Sequence, residues 1–404
     1  MKNFAEFFAG VGLVHEGLRS SGWNCVWAND ISRDKQETYI ENFGEADFWL
    51  GDIWDITKNP NIVPSDTFLY TASFPCTDLS VAGERAGLAG AESGTLNALI
   101  EILINKNITN SLPKVVMLEN VRGFLTSHKG KDIEQTAQHF TDLGYYIDII
   151  ELDAIDFSAQ SRPRVFMIAV EESLAKKTMK IKNGIQLFDD WWSYFERHPY
   201  LRSEKVKNII LKNETLNWAL FDINLPEKTT IRLADIIEVD IPDNSTLWWN
   251  EDRRSHIFSQ MSEGHKNYLK EMVERNSYSY GTVYRRTRKG KPMAELRTDG
   301  FAGCLRTPRG GSSKQIVIKA GKGQWKVRLL TPREYARLQG VRDSFKLPTN
   351  ANKGYFAMGD AVCVPVIEYI SKNILDHLYN EDNGSNNNIH SDNIKLRSVA
   401  LYCR

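Results

Sequence analysis

Cysteine is scarce in this chain: five residues among 404, at positions 25, 76, 304, 363 and 403. The set is odd in number and scattered, with none of the paired spacing of a zinc site, so neither a disulfide framework nor a structural metal is expected. Long apolar runs are missing as well, none reaching the roughly 18 residues of a membrane span. The opening MKNFAEFFAGVGLVHEGL lacks a basic leader, an apolar stretch and a small-residue cleavage site. A cytoplasmic protein that does not engage membranes is therefore expected. Internal repeats of useful length are absent. Net charge is absent too, with 51 Lys and Arg against 51 Asp and Glu, which taken alone argues against a polyanionic partner.

That zero conceals a segregation. Residues 281–340 carry 15 Lys and Arg against Glu295, Asp299 and Glu334, whereas residues 41–160 carry 7 basic and 18 acidic residues. A basic block of this kind is the footprint of nucleic-acid binding when it lies on one face, and a solvated loop-rich surface when it does not. Hydrophobic residues at 42% and charged residues at 25% are ordinary for compact domains. The length exceeds what one hydrophobic core usually supports, which implies a large domain with a smaller attachment.

Along the chain, Phe4 to Phe8 reads as a buried strand, followed by the small-residue turn Ala9-Gly10-Val11-Gly12 and a helix from Leu13. Strands at 25–28, 67–72, 115–118, 146–152 and 164–170 follow, with helices at 95–104 and 132–143. Such alternation predicts an α/β fold with a doubly wound, mainly parallel sheet covered on both faces. After Glu171 the pattern gives way to aromatic and charged segments such as DDWWSYFERHPY and TLWWNEDRRSH, which predicts a second domain of mixed structure over 176–327. A helical pattern returns at 366–378, and the polar stretch EDNGSNNNIHSDN predicts a flexible tail over 381–404.

Several motifs could carry chemistry. FAGVGL places backbone amides at a helix N-terminus, where a cofactor can approach closely. His15 stands where a dinucleotide fingerprint needs its third glycine, which disfavours nicotinamide and flavin cofactors. Asp30 and Asp52, each following a strand, could accept hydrogen bonds from a ribose and an adenine amine, or could simply cap helices. SFPCTDLS sets Cys76 just after a buried strand, at the sheet edge where open α/β sheets bind ligands. A thiolate there is a strong nucleophile, although a single cysteine is more often inert. LENVRGF sets Glu119 at the end of the next strand, aimed at the same crevice. QSRPRVF sets Arg162 and Arg164 two residues apart, on one face of a strand, where they could hold an anion. Read singly, Glu119 is a salt-bridge partner and the arginines are surface cations. The tryptophans around Trp191 and Trp248 could stack on bases, yet such clusters usually belong to a core.

In combination and order, FAGVGL, GDI, FPCTDLS, SGTL, LENVRGF, QSRPRVF, RLLTPREYARLQG and GYFAMGDAV resemble the motif series of the cytosine-5 DNA methyltransferases, of the bacterial restriction-modification type. The resemblance spans residues 4–170 and 328–370. It implies a Rossmann-like S-adenosylmethionine-dependent methyltransferase domain over 1–175, a target-recognition domain over 176–327, and a segment over 328–380 whose helix returns to the catalytic domain. It further implies that Cys76 adds to ring carbon 6 of cytosine, that Glu119 is the general acid, that Arg164 holds the carbonyl oxygen, and that Arg162 supports the loop.

The implied S-adenosylmethionine site comprises Phe8, Ala9, Gly10, Val11 and Gly12 at the methionine part, Asp30 and Ile31 at the ribose, and Asp52 and Ile53 at the adenine. Pro75 and Leu96 flank it, and Asp360, Ala361 and Val362 complete it. One departure stands out: the family usually has Gly-Asn where this chain has Gly359-Asp360. An aspartate can accept a bond from the cofactor's ammonium but cannot donate as an amide does.

Chemistry at a base edge requires a flipped nucleotide, so double-stranded DNA is the implied partner. It would be gripped by Ser80, Gln160, Arg285, Arg286, Arg288, Lys289, Arg306, Arg309, Lys314 and the close-approach glycines Gly310 and Gly311. A monomer is implied, with a companion nuclease or as a solitary methylase. A tRNA methyltransferase of the same superfamily would carry a second proline before the cysteine and a Cys-Phe-Thr signature, and neither is present. A regulatory subunit without catalysis would not be expected to retain Cys76, Glu119 and Arg164.

Overall fold

The computed structural model describes residues 1–45, 47–76, 88, 90, 94–182, 190–288, 290–307 and 313–384. Its centre is a seven-stranded sheet of β1 (Asn3–Phe7), β2 (Asn24–Asp30), β3 (Phe48–Leu50), β4 (Leu69–Ala72), β5 (Val115–Val121), β6 (Tyr145–Asp153) and β7 (Pro163–Glu171). The order is β3-β2-β1-β4-β5-β7-β6. The first five strands of that order pair in parallel, and β7 runs antiparallel between β5 and β6. Strands such as LYTA and VVMLENV are buried almost end to end, because helices cover both faces and leave no solvent side for alternation to mark.

Helices α1 (Leu13–Arg19), α2 (Arg33–Phe43), α3 (Ile53–Lys58), α4 (Thr95–Ile108) and α5 (Lys131–Asp142) connect these strands. The strand order reverses direction at β1 and β4, and such a switch point opens a crevice at the carboxyl ends of the strands. The loop after β1 and the loop bearing Cys76 after β4 therefore flank one crevice.

The change in composition after Glu171 does not coincide with a change of hydrophobic core. Trp191, Trp192, Phe195, Val206, Ile209, Trp218 and Leu220 are buried in the cluster on one face of the large sheet, and Leu201, Phe221, Leu233 and Ile237 in the cluster on the other. The Arg202 guanidinium forms a fully buried ion pair with Asp148 of β6. The segment from 190 to 237 is thus an extension of the large domain, and the expected boundary at 176 moves accordingly. Trp191 belongs to the core, not to a base-stacking surface.

A separate core begins near Trp249. It lies between the helices Glu251–Ser259 and Glu263–Glu274 and a four-stranded antiparallel sheet of residues 279–329, with Ile257, Met272, Val283, Leu296, Ile318 and Val327 at its centre.

After this sheet RLLTPREYARLQG turns the chain back. Thr331 caps the helix Pro332–Leu338 in a reciprocal capping box with Glu334, and Pro332 occupies the first turn. The run from Val364 through Asp382 is helical, with a π turn at Ser371–Leu375. It packs on α1, tied down by Asp376, which accepts from Lys2 Nζ at 3.0 Å and Trp23 Nε1 at 2.8 Å. The first and last helical segments thus meet. Most of the polar tail, 385–404, lies outside the described residues.

Candidate active site

The loop after β1 is drawn into shape by short-range polar contacts. Asp30, at the end of β2, accepts from Gly10 N–H and from Ser32 N–H, both at 2.9 Å. Asn29 reaches the other way, donating to the carbonyls of Trp49 within β3 at 3.1 Å and of Gly51 just beyond it at 2.9 Å. One strand end thereby fixes both neighbouring loops. Gly12 has φ of +82°, and a Cβ there would fall 2.4 Å from the Phe43 ring and 2.8 Å from Tyr39, so α2 closes directly against this glycine. Ile31 is 70% exposed beside the enclosed Asp30 carboxylate, an apolar side chain left open at the crevice. Asp52 caps α3, accepting from Trp54 N–H at 3.1 Å. Beneath the loop Glu6, His15 and Cys25 lie close together, but the Tyr39 hydroxyl bonds both His15 Nδ1, at 2.8 Å, and Cys25 Sγ, at 3.4 Å. These side chains form a hydrogen-bonded core in the structure.

On the far side of the switch point, Asn120 Nδ2 donates to the Phe74 carbonyl at 3.0 Å, fastening the Cys76 loop to the end of β5. Phe74 also meets Phe124 edge to face. The neighbouring Glu119 pairs with Arg164 of β7, Oε1 to Nε at 3.0 Å, and both side chains are largely enclosed. Arg162 is buried. It donates to the carbonyls of Leu305 at 2.8 Å, Gly359 at 3.2 Å and Ala361 at 2.7 Å, and to Cys304 Sγ at 3.4 Å. Arg164 acts on the same thiol electrostatically, while its guanidinium donates to the Pro163 carbonyl at 2.8 Å.

Burial pushes the Cys76 thiol above its ordinary value, Arg164 pulls it back, and Glu119 raises it again. In free enzyme the thiolate is therefore a minor species at neutral pH. Alkylation of Cys76 by iodoacetamide, mapped by mass spectrometry, should accelerate roughly tenfold per pH unit from 7 to 8.5. A plateau below pH 8 would contradict this electrostatic picture. Cys304 behaves oppositely: burial opposes its ionisation, but Arg162 and Arg164 together hold its thiol below the ordinary value.

Three segments widely separated in sequence thus meet around Cys76, Glu119 and the arginine pair. The family model described as C-5 cytosine-specific DNA methylase matches residues 2–376. The chain belongs to this family. It is a DNA cytosine-5 methyltransferase, and its methyl donor is S-adenosylmethionine.

Among its relatives, the Type II methyltransferase M.DsaV of Dactylococcopsis salina is 26% identical over 378 residues, covering 93% of this chain and 86% of the relative. M.HhaI of Haemophilus parahaemolyticus is 25% identical over 374 residues, covering 92% and 93%. The S. pombe Dnmt2 methyltransferase structure superposes with a TM-score of 0.59 at 18% identity, covering 94% of this chain and 99% of that one. The fold is that of the S-adenosylmethionine-dependent methyltransferases with an additional sheet.

Three residues of this methylase that were expected at ligands are enclosed in the structure. Gln160, expected at DNA, is wholly buried: its amide donates to the Leu338 carbonyl and to Gln339 Oε1, both at 3.1 Å, and accepts from Leu305 N–H at 3.0 Å. It pins the returning segments together. Leu96, expected beside the cofactor, has no exposed surface and belongs to the core beneath α4, and Ile53 is nearly as enclosed.

Phe8, Ala9, Val11 and Pro75 line the two loops at the switch point, whereas Ala361 and Val362 sit beside the Arg162 guanidinium that holds their segment. Ser80, Lys289, Arg309, Gly310 and Gly311 lie outside the described residues. Arg286 and Arg288 share Glu295 across the hairpin, at 3.1 and 2.7 Å, and the guanidiniums of Arg286 and Arg306 flank the Tyr284 ring at 4.9 and 5.3 Å. Arg285 points to the other side, half-buried, with burial and Arg253 lowering its basicity. Lys314 bonds Asn352 Oδ1 at 2.7 Å over the Tyr355 ring. Trp248, by contrast with Trp191, is partly exposed, with Lys326 and Arg328 over its ring. Cys304 was missed from sequence, where an isolated cysteine between strands carried no signal.

Proposed function

We propose that this methylase extrudes one cytosine from duplex DNA into the crevice at the switch point and attacks it covalently through Cys76. The Cys76 sulfur adds to ring carbon 6, and carbon 5 becomes the nucleophile. Glu119 favours the addition by protonating the ring nitrogen and binding the exocyclic amine. Arg164 holds the carbonyl oxygen in a preorganised, largely enclosed site. S-adenosylmethionine supplies the methyl group that carbon 5 takes. Loss of the carbon 5 proton to water, return of the ring-nitrogen proton to Glu119 and breakage of the sulfur–carbon 6 bond then release 5-methylcytosine and the Cys76 thiolate, the form in which the sulfur had added. Arg162 does not touch the base in this reading; it holds the segments at 305 and 359–361 against the site.

The observation that carries this reading is the enclosed Glu119–Arg164 pair, with both groups within electrostatic reach of Cys76. The exposed Arg306 lies two residues beyond Cys304, so the basic hairpin that it joins through Tyr284 adjoins the same arginines. That arrangement suits a backbone grip next to a flipped base. We also infer that it acts as a monomer in the cytoplasm, and the Type II relatives support a place in a restriction-modification pair. Incubation with radiolabelled donor should label duplex DNA and leave tRNA unlabelled. Label in tRNA alone would overturn the substrate, and no label in either would favour a regulatory subunit.

A further inference from the structure

The acid at position 360, where the family usually has an amide, does not stand alone. Lys35 Nζ lies 3.4 Å from Asp360 Oδ2, and the Thr307 hydroxyl donates to Oδ1. Lys35 lies one turn before Tyr39 on α2, and Tyr39 belongs to the face that closes against Gly12. Lys35 therefore projects from the helix that covers the glycine turn of the cofactor crevice.

Asp360 ends the helix Ala351–Asp360 and is positioned from behind. A Cβ on the preceding Gly359 would fall 2.6 Å from the Arg306 carbonyl oxygen, so the two segments are in backbone contact. Arg162 bonds the carbonyls on both sides, those of Gly359 and Ala361. Asp360 is also among the charges that act on Cys76. The pair thus joins the helix that packs on the glycine turn to the segment that Arg162 holds, and both members remain partly open to solvent.

An uncompensated carboxylate here would repel the carboxylate of the cofactor's own amino-acid end, which an amide does not. A lysine within salt-bridge distance reverses that, and the two charges together mirror a zwitterion. We propose that Lys35 and Asp360 recognise the amino-acid end of S-adenosylmethionine as an opposite-charge pair, Asp360 taking the ammonium and Lys35 the carboxylate. This rests on the reading of the Phe8 to Gly12 loop as the methionine site.

Calorimetric titration of DNA-free enzyme tests the pair with three ligands: S-adenosylhomocysteine, its decarboxylated analogue, and 5′-methylthioadenosine, which lacks the amino-acid end. Lys35→Met should weaken S-adenosylhomocysteine binding about tenfold or more, because it exposes the Asp360 charge to a like charge. It should leave 5′-methylthioadenosine within about twofold and spare the decarboxylated analogue, whose remaining charge is its ammonium. The double variant Lys35→Met/Asp360→Asn restores neutrality and should recover to within about threefold of the unaltered chain.

Unchanged S-adenosylhomocysteine affinity in Lys35→Met would overturn the proposal. So would an equal loss for 5′-methylthioadenosine, which would mean general damage to the crevice. Failure of the unaltered chain to bind any of the three would overturn the cofactor site as a whole, and this pair with it.

Discussion

Replacing Cys76 with serine should lower methyl transfer to duplex DNA by on the order of 10³-fold or more while leaving cofactor affinity and melting temperature unchanged. Serine is nearly the same size, and the Cys76 loop is held through the Phe74 carbonyl and ring, which the exchange does not touch. What changes is the nucleophile. An alcohol ionises several pH units higher than a thiol, and its oxygen adds poorly to an electron-rich pyrimidine. Arg164 and Glu119 would still bind the base, so the loss should appear in the rate at saturating DNA rather than in DNA affinity. A matched measurement uses DNA carrying 5-fluorocytosine at the target, which stops the reaction before elimination. The unaltered chain should form a denaturation-resistant adduct at the Cys76 peptide, and the serine variant none. Transfer by the serine variant at an unaltered rate would remove the covalent mechanism.

The largest effect on stability should come from Glu334→Ala, far from the nucleophile. Glu334 has no exposed surface, and its carboxylate accepts from both terminal nitrogens of Arg328 at 2.6 Å, from Thr331 N–H at 2.8 Å and from Glu238 N–H at 2.8 Å. It holds together the end of the small sheet, the cap of the helix Pro332–Leu338 and the segment after residue 237. Removing it leaves the Arg328 charge buried without its carboxylate partner, a change that typically costs about 3–5 kcal/mol. For a domain of this size that corresponds to a drop in melting temperature on the order of 10 °C. The double exchange Arg328→Met/Glu334→Leu should recover much of the loss, because the penalty arises from the orphaned charge more than from the absent pair. A melting temperature within about 2 °C of the unaltered chain for Glu334→Ala would show that the site is hydrated on breathing, contrary to its burial.

Cys76 and Glu119 could be placed together from sequence because consecutive buried strands deliver their carboxyl ends to one edge of a parallel sheet. The acid at 360 was visible as a departure, but its partner was not: Lys35 and Asp360 are 325 positions apart, and only the packing of α2 against the returning helix brings them within reach. Gln160 was misplaced for a related reason. A polar residue before a strand reads as surface, and nothing local reveals that Leu305, Leu338 and Gln339 will enclose it with matching donors and acceptors.

The tryptophan-rich stretch after Asp190 was assigned to the wrong body because composition reports that a segment is apolar, not which sheet it covers.

By itself the sequence determined the doubly wound architecture, the loops at its switch point, the placing of Cys76 and Glu119 at one crevice, and the family. These follow from local patterns: buried strands, glycine turns and motifs at strand ends, whose meaning is set within a few residues. Tertiary structure alone decided which hydrophobic core claims residues 190–237, that Gln160 is an interior brace, that Cys304 sits on the Arg162 guanidinium, and that Asp360 has a lysine for a neighbour. Each of these depends on contacts between distant segments. A side chain's role there is set by the charges and hydrogen-bonding groups that the fold carries to it, which its own stretch of sequence does not encode.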